Sequence, residues 1–181
     1  MVYTVIGGSG SGKSAYAEQL VCKIAGQKSR YYLATMQVYG EEGKARVARH
    51  RKAREGKGFL TVEQTTDVAE VLTEGTDGTL LLECMSNLVA NEMFDGEQQK
   101  SRAEVVAKLC RDIEVLASKV ENLVIVTNNV FEDGICYDVG TMEYIRALAD
   151  INGWLLTRSD VMTEIVYTIP VALKGEPICL Y

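Results

Sequence analysis

The chain has 181 residues, 47% apolar and 24% charged, as in a soluble globular domain large enough to bury a core. With 19 Lys+Arg against 25 Asp+Glu the formal charge is −6, which argues against a nucleic-acid or anionic-membrane binder as a whole molecule. The five cysteines form no C-x-x-C pair, so a zinc site or disulfide framework is not expected and a reducing compartment is.

No apolar run approaches the roughly 20 residues of a membrane span. The sequence enters its first strand at once, so no secretory signal is expected. A cytoplasmic protein with a single domain over residues 1–181 is expected.

Val2-Tyr3-Thr4-Val5-Ile6 is a β-branched, apolar run that suits a buried strand. It leads into Gly7-Gly8-Ser9-Gly10-Ser11-Gly12-Lys13-Ser14, which reads G-x-x-x-x-G-K-S. Ala15 to Val21 then opens a helix. Strand, glycine loop and helix are the context a phosphate-cradling loop needs. Glycines let backbone N–H groups turn inward around a polyphosphate, and the helix adds its positive dipole end. Lys13 supplies a movable cation for the terminal phosphates, and the Ser14 hydroxyl is placed for Mg²⁺.

Arg30 to Ala34 reads as a second strand ending at Thr35. As a parallel neighbour of the first, it would deliver Leu33, Ala34 and Thr35 to the edge that carries the phosphate loop, where open α/β sheets bind ligands. An ordinary buried strand explains the same residues.

Glu41 to Lys57 crowds Lys44, Arg46, Arg49, Arg51, Lys52, Arg54 and Lys57 around His50, the sole histidine. The spacing is helical, and Arg46, His50 and Arg54 share a face at i, i+4 and i+8. Like charges so placed repel, so a helix that keeps them is suited to meet an anion. A solvated basic face is the plainer reading. An RNA-binding helix is a third, but no aromatics interleave beyond Phe59 and the overall charge is negative.

Gly58 to Glu63 reads as a strand, Asp67 to Leu72 as a short helix, and Thr79 to Glu83 as a buried strand ending in a carboxylate. A strand-end acid after a phosphate loop is suited to the Mg²⁺ shell or the substrate hydroxyl. Ser86 to Phe94 continues as a helix, followed by the polar stretch 95–100. Ser101 to Val120 is a long amphipathic helix with the stripe Val105, Leu109, Ile113, Leu116 and a capping box at Ser101 and Glu104. Leu123 to Thr127 is a buried strand ending at Asn128-Asn129, and the loop to Gly140 holds Glu132, Asp133 and Asp138, a substrate loop or a solvated one. Thr141 to Leu156 is helical. Glu164–Ile169 and Ile178–Tyr181 read as closing strands split by Pro170 and Pro177. The alternation predicts a three-layer α/β/α fold of P-loop NTPase type with a mostly parallel central sheet.

These residues together resemble the bifunctional adenosylcobinamide kinase/adenosylcobinamide-phosphate guanylyltransferase family of cobalamin biosynthesis. The likeness rests on the loop Gly7 to Ser14, Leu33-Ala34-Thr35, His50 with Arg54, Thr61 to Glu63, Leu81 to Cys84, and Val126 to Asn128. The family has Asn-Glu-Val-Gly where this chain reads Asn128-Asn129-Val130-Phe131.

The resemblance implies two steps. A hydroxyl of adenosylcobinamide takes a phosphoryl group from ATP or GTP. GTP then guanylylates a histidine, and the cobinamide phosphate takes the GMP. By matching, His50 would be the nucleophile, Arg51, Lys52, Ala53 and Arg54 would lie along the nucleotide, and Glu63 and Glu83 would contact it. A homotrimer with nucleotide between subunits is also implied, as is a corrinoid substrate; the negative net charge speaks against a nucleic-acid partner. Neutral imidazole is a good nucleophile toward phosphorus, and nearby cations stabilise a departing pyrophosphate. The alternative is a P-loop kinase on another small hydroxyl compound, without the guanylyl step.

Overall fold

The computed structural model describes residues 1–37, 40–95, 99–130, 134–135, 137–178 and 180. In chain order the elements are β1 (Val2–Gly7), α1 (Lys13–Ala25), β2 (Arg30–Ala34), α2 (Gly40–Arg54), β3 (Phe59–Glu63) and a 3-10 turn at Val68–Glu70. Then come β4 (Thr76–Glu83), α3 (Met85–Met93), α4 (Arg102–Lys119), β5 (Val120–Asn128), α5 (Val139–Arg158), β6 (Val161–Val166) and β7 (Ile169–Lys174). The strands make one sheet in the order β3-β2-β4-β5-β1-β6-β7, with β7 alone antiparallel to its neighbour.

The central strands are apolar on both faces because both faces are covered. Leu80, Leu82, Leu123 and Ile125 point to one side and pack with α3, α4 and α5. Leu81, Val124 and Val126 point to the other and pack with Tyr16, Ala17, Leu20 and Val21 of α1. Each such side chain removed from water stabilises the fold by about 1.5–3 kcal/mol. The helix α4 buries the stripe Val105, Leu109, Ile113 and Leu116 and is capped by Ser101 and Glu104 in both directions. These are the three layers the alternation predicts.

The helix α2 is built differently. Among its described side chains only Arg54 is buried, so no apolar stripe ties it to the core. Polar contacts at its C-terminal end hold it instead.

The register sets where chemistry can occur. Gly7 pairs with Asn128, and Ala34 pairs with both Glu63 and Glu83. Five strands therefore present their last residues along one carboxyl edge.

The structure corrects several sequence expectations. The helix expected over Asp67–Leu72 is one 3-10 turn, Val68–Glu70. The strand expected at Thr79 begins at Thr76. The last strands are β6 and β7, a hairpin that ends at Lys174; Pro170 lies inside β7, where an outer strand tolerates a missing N–H. Ile178 and Leu180 are not in a strand but pack against the α1 side of the core. Asp138 caps α5, accepting from the Thr141 N–H at 3.0 Å. The side chain of Arg46, and Glu132, Asp133, Cys179 and Tyr181, lie outside the described residues.

The turn between β6 and β7 has two central residues, since Val166 pairs with Ile169. Both have positive φ, 47° at Tyr167 and 70° at Thr168. That left-handed conformation costs a residue with a side chain on the order of 1–2 kcal/mol.

Candidate active site

The loop between β1 and α1 is shaped by its glycines. Gly12, at φ 93°, stands at the N-cap of α1, and no side chain caps that helix. The first N–H groups of α1 are thus available for an anion. Gly7 is needed for a different reason. A Cβ there would stand 2.7 Å from the Ile165 carbonyl and 2.6 Å from Ser11 Oγ. Backbone cannot yield that far, so Gly7→Ala should cost about 1–3 kcal/mol. A lower denaturation midpoint at unchanged m-value checks this, and an unchanged midpoint refutes it.

Lys13 Nζ donates to the Gly8 carbonyl at 2.9 Å, folding its ammonium over the loop. Burial pulls its pKa down, while Cys84 and Glu83 push it up. Ser14 Oγ donates to Glu83 Oε1, so the loop and the end of β4 are joined directly. Among the described residues, Glu83 Oε2 is buried without a hydrogen-bond partner. Burial raises the Glu83 carboxyl to about 7, against the opposing Ser14 hydrogen bond.

This pair tests the expected Mg²⁺. Two hard oxygen donors side by side, one carrying an unsatisfied lone pair, fit a Mg²⁺ that takes its other ligands from phosphates and water. Among the described residues no group of three His, Cys, Asp or Glu could hold a metal by itself.

A cleft of about 810 Å³ opens over the carboxyl edge. Of the residues singled out in the sequence, Ser9 to Ser14, Ala34, His50, Arg51, Ala53, Arg54, Glu63 and Glu83 line it. Leu33 is wholly buried in the core. Thr35 is buried too and works as a tie: its hydroxyl donates to the Cys84 carbonyl at 2.9 Å and accepts from the Cys84 N–H at 2.8 Å. Gly7 and Gly8 are not among the lining residues, and Lys52 lines a neighbouring hollow between the end of α2 and β3, with Phe59 and Thr61.

Arg54 lies 3.4 Å above the Tyr32 ring, a cation–π stack in a desolvated place. Its Nη1 is buried with no hydrogen-bond partner among the described residues. Arg51 pairs with Glu63 at 2.6 Å on the exposed rim, a contact of little energetic weight. Glu18, almost fully buried, pairs with Lys57 at 2.6 Å. The cleft wall carries Lys13, Arg49, Arg51, Arg54 and Lys57 against Glu18, Glu63 and Glu83. A molecule of charge −6 thus keeps a locally basic cleft, which concentrates polyphosphate anions.

The sequence reading did not single out Tyr32, Glu18 or Ser86. Asn128 Nδ2 donates to Ser86 Oγ at 2.5 Å, and Asn152 fixes the end of β5 by donating to the Asn128 carbonyl at 3.1 Å. The polar pair Asn128-Asn129 at a strand end was the available signal for this part of the wall.

Comparison with known proteins agrees with this architecture. A family model described as cobinamide kinase / cobinamide phosphate guanyltransferase matches residues 3–173. The Bifunctional adenosylcobalamin biosynthesis protein CobU of Escherichia coli (strain K12) is 36% identical over 98 residues, a match spanning 52% of this chain and 51% of that protein. The protein of the same name from Salmonella typhimurium is 29% identical over 186 residues, spanning 96% and 100%.

Solved structures of similar fold include an ATP synthase subunit, NeqB, from Nanoarcheaum equitans, with TM-score 0.56 and 14% identity over 90% of this chain and 44% of that one. The ATPase domain of G40P has TM-score 0.52 and 8% identity over 90% and 68%. At these identities they show the fold alone, that of P-loop NTPases. Because the matched span takes in the phosphate cradle, the basic helix and the closing hairpin, the chain belongs to the cobinamide kinase / cobinamide phosphate guanyltransferase family.

Proposed function

We propose that the protein phosphorylates a hydroxyl of adenosylcobinamide with ATP or GTP, then transfers GMP from GTP to the new phosphate through a guanylyl-histidine at His50. The observation that carries this reading is that His50 lines the same cleft as the phosphate cradle.

In the first step the acceptor oxygen attacks the γ-phosphorus and the nucleoside diphosphate leaves. Lys13 and the α1 N-terminus hold the phosphates, and the ionised Glu83 accepts the hydroxyl proton or fills the Mg²⁺ shell with Ser14. Mg²⁺, when bound, neutralises charge on the β- and γ-oxygens. In the second step an imidazole nitrogen of His50 attacks the α-phosphorus of GTP, and pyrophosphate leaves into the cradle. A phosphate oxygen of the acceptor then attacks the same phosphorus and releases His50. Arg51, Ala53, Arg54 and Glu63, with Ala34 beside Glu63 in the sheet, would take the GTP of the second step in the cleft that Ser9 to Ser14 also line. We place the whole unit, residues 1–181, in one functional domain that works as a homotrimer in the cytoplasm.

Mass spectrometry of the intact protein after GTP and Mg²⁺ tests the reading. A gain of one guanylyl group, lost on adding phosphorylated adenosylcobinamide, is expected. A protein that turns over ATP with the acceptor yet never gains mass from GTP is instead a plain kinase.

A further inference from the structure

We propose that Tyr167 is the platform on which the purine base of the phosphoryl-donor nucleotide stacks. This rests on reading the loop Gly7–Ser14 as a triphosphate cradle.

The turn that carries Tyr167 is not filled by the residues its geometry favours. Two-residue hairpin turns with positive φ at both positions prefer Asn-Gly or Asp-Gly, which adopt that conformation with little strain. Here an aromatic residue at 47° and a β-branched residue at 70° occupy it. Strain kept in the backbone points to side chains wanted at those places.

The use of Thr168 is visible. Its N–H donates to the Ser11 carbonyl at 2.9 Å. Its Cγ2 lies 3.0 Å from where a Cβ on Gly12 would stand. The turn is therefore fastened to the lip of the cradle. Tyr167, next to it, is 88% exposed, so core packing does not account for its ring.

The strand order says which end of a nucleotide would reach it. Glu83 ends β4 and Asn128 ends β5, both on one side of β1; the Tyr167 turn joins β6 to β7 on the other. For phosphoryl transfer the γ-phosphate must face Ser14 and Glu83. The nucleoside then leaves the cradle on the opposite side, past Ser11 and Gly12, toward Tyr167. An exposed ring there offers a stacking face, which accepts any purine because stacking does not read hydrogen-bonding edges.

The test compares ATP with inorganic tripolyphosphate by calorimetry on the full chain with Mg²⁺. Asn tolerates left-handed φ, so Tyr167→Asn should keep the turn and melt no lower than wild type. It should weaken ATP binding about tenfold and leave tripolyphosphate binding unchanged. Tyr167→Phe should bind ATP like wild type. Unchanged ATP affinity in Tyr167→Asn overturns the inference, as does equal weakening of both ligands, which would mean the turn only shapes the cradle. A change in oligomer mass with unchanged ATP affinity would assign the ring, with the exposed Ile169 and Val171, to contact between copies and also overturn it. Wild-type protein that binds tripolyphosphate as well as ATP would remove the base platform yet leave the cradle reading standing; protein that binds neither overturns both.

Discussion

Replacing His50 with alanine should abolish transfer of GMP, lowering its rate by at least about 10³-fold, while phosphoryl transfer to the acceptor continues. The expectation follows from the division of labour in the cleft. In the proposed mechanism the cradle residues grip phosphates in either step, but only the guanylyl step needs a side chain that forms a bond to phosphorus. His50 is the one imidazole in the chain, and it lines the cleft among Arg49, Arg51 and Arg54. Those guanidiniums suit the negative charge that develops on departing pyrophosphate. GTP labelled at the α-phosphate separates the outcomes: wild type should carry acid-labile, base-stable label, and the variant none. Label retained by His50→Ala would remove His50 as the nucleophile.

Glu83→Gln should lower the phosphoryl-transfer kcat by roughly 10²- to 10³-fold and remove a pH dependence. Burial holds the Glu83 carboxyl protonated up to about 7. A protonated carboxyl can neither accept the hydroxyl proton nor serve Mg²⁺ well. Wild-type kcat/KM, which follows the free enzyme, should therefore rise as pH passes through about 7, and the glutamine variant should lose that limb.

Stability should move the other way. The folded state keeps its proton from about 4.5, the ordinary value, to about 7, where the unfolded chain has lost it. Over that window the native state binds more protons, so stability falls as pH rises, by on the order of 3 kcal/mol from this group. Denaturant titrations of the ligand-free protein at pH 5 and about pH 8 measure this difference, and the Gln variant should show less of it. A wild-type slope equal to that of Glu83→Gln would remove Glu83 from the account.

The parts of the site that obey local rules were legible in the sequence. The phosphate loop is contiguous, and its glycines declare their backbone geometry. The strands ending at Ala34, Glu63 and Glu83 followed from apolar runs, and parallel pairing then aligned their ends. The capping box at Ser101 is a four-residue pattern and was equally plain.

What stayed hidden depends on residues far apart in the chain. The Arg54–Tyr32 stack spans two elements, and neither residue type announces the other. Glu18 reads as a solvated helix position until Lys57, supplied by the turn after α2, covers it. Pro170 suggested a break because proline cannot serve a central strand; only the strand order shows that β7 lies at the edge, where it can.

The place of β1 in the sheet has a consequence for synthesis. Val2 to Gly7 pairs on one side with Leu123 to Asn128 and on the other, through Tyr3 to Ile6, with Val161 to Glu164. β1 is thus synthesised more than a hundred residues before either of its sheet neighbours. Until they are made, both of its edges lack partners, and the loop that should grip phosphate has no rigid strand beneath it. Nucleotide binding should therefore stabilise only a chain in which β5 and β6 have already been made.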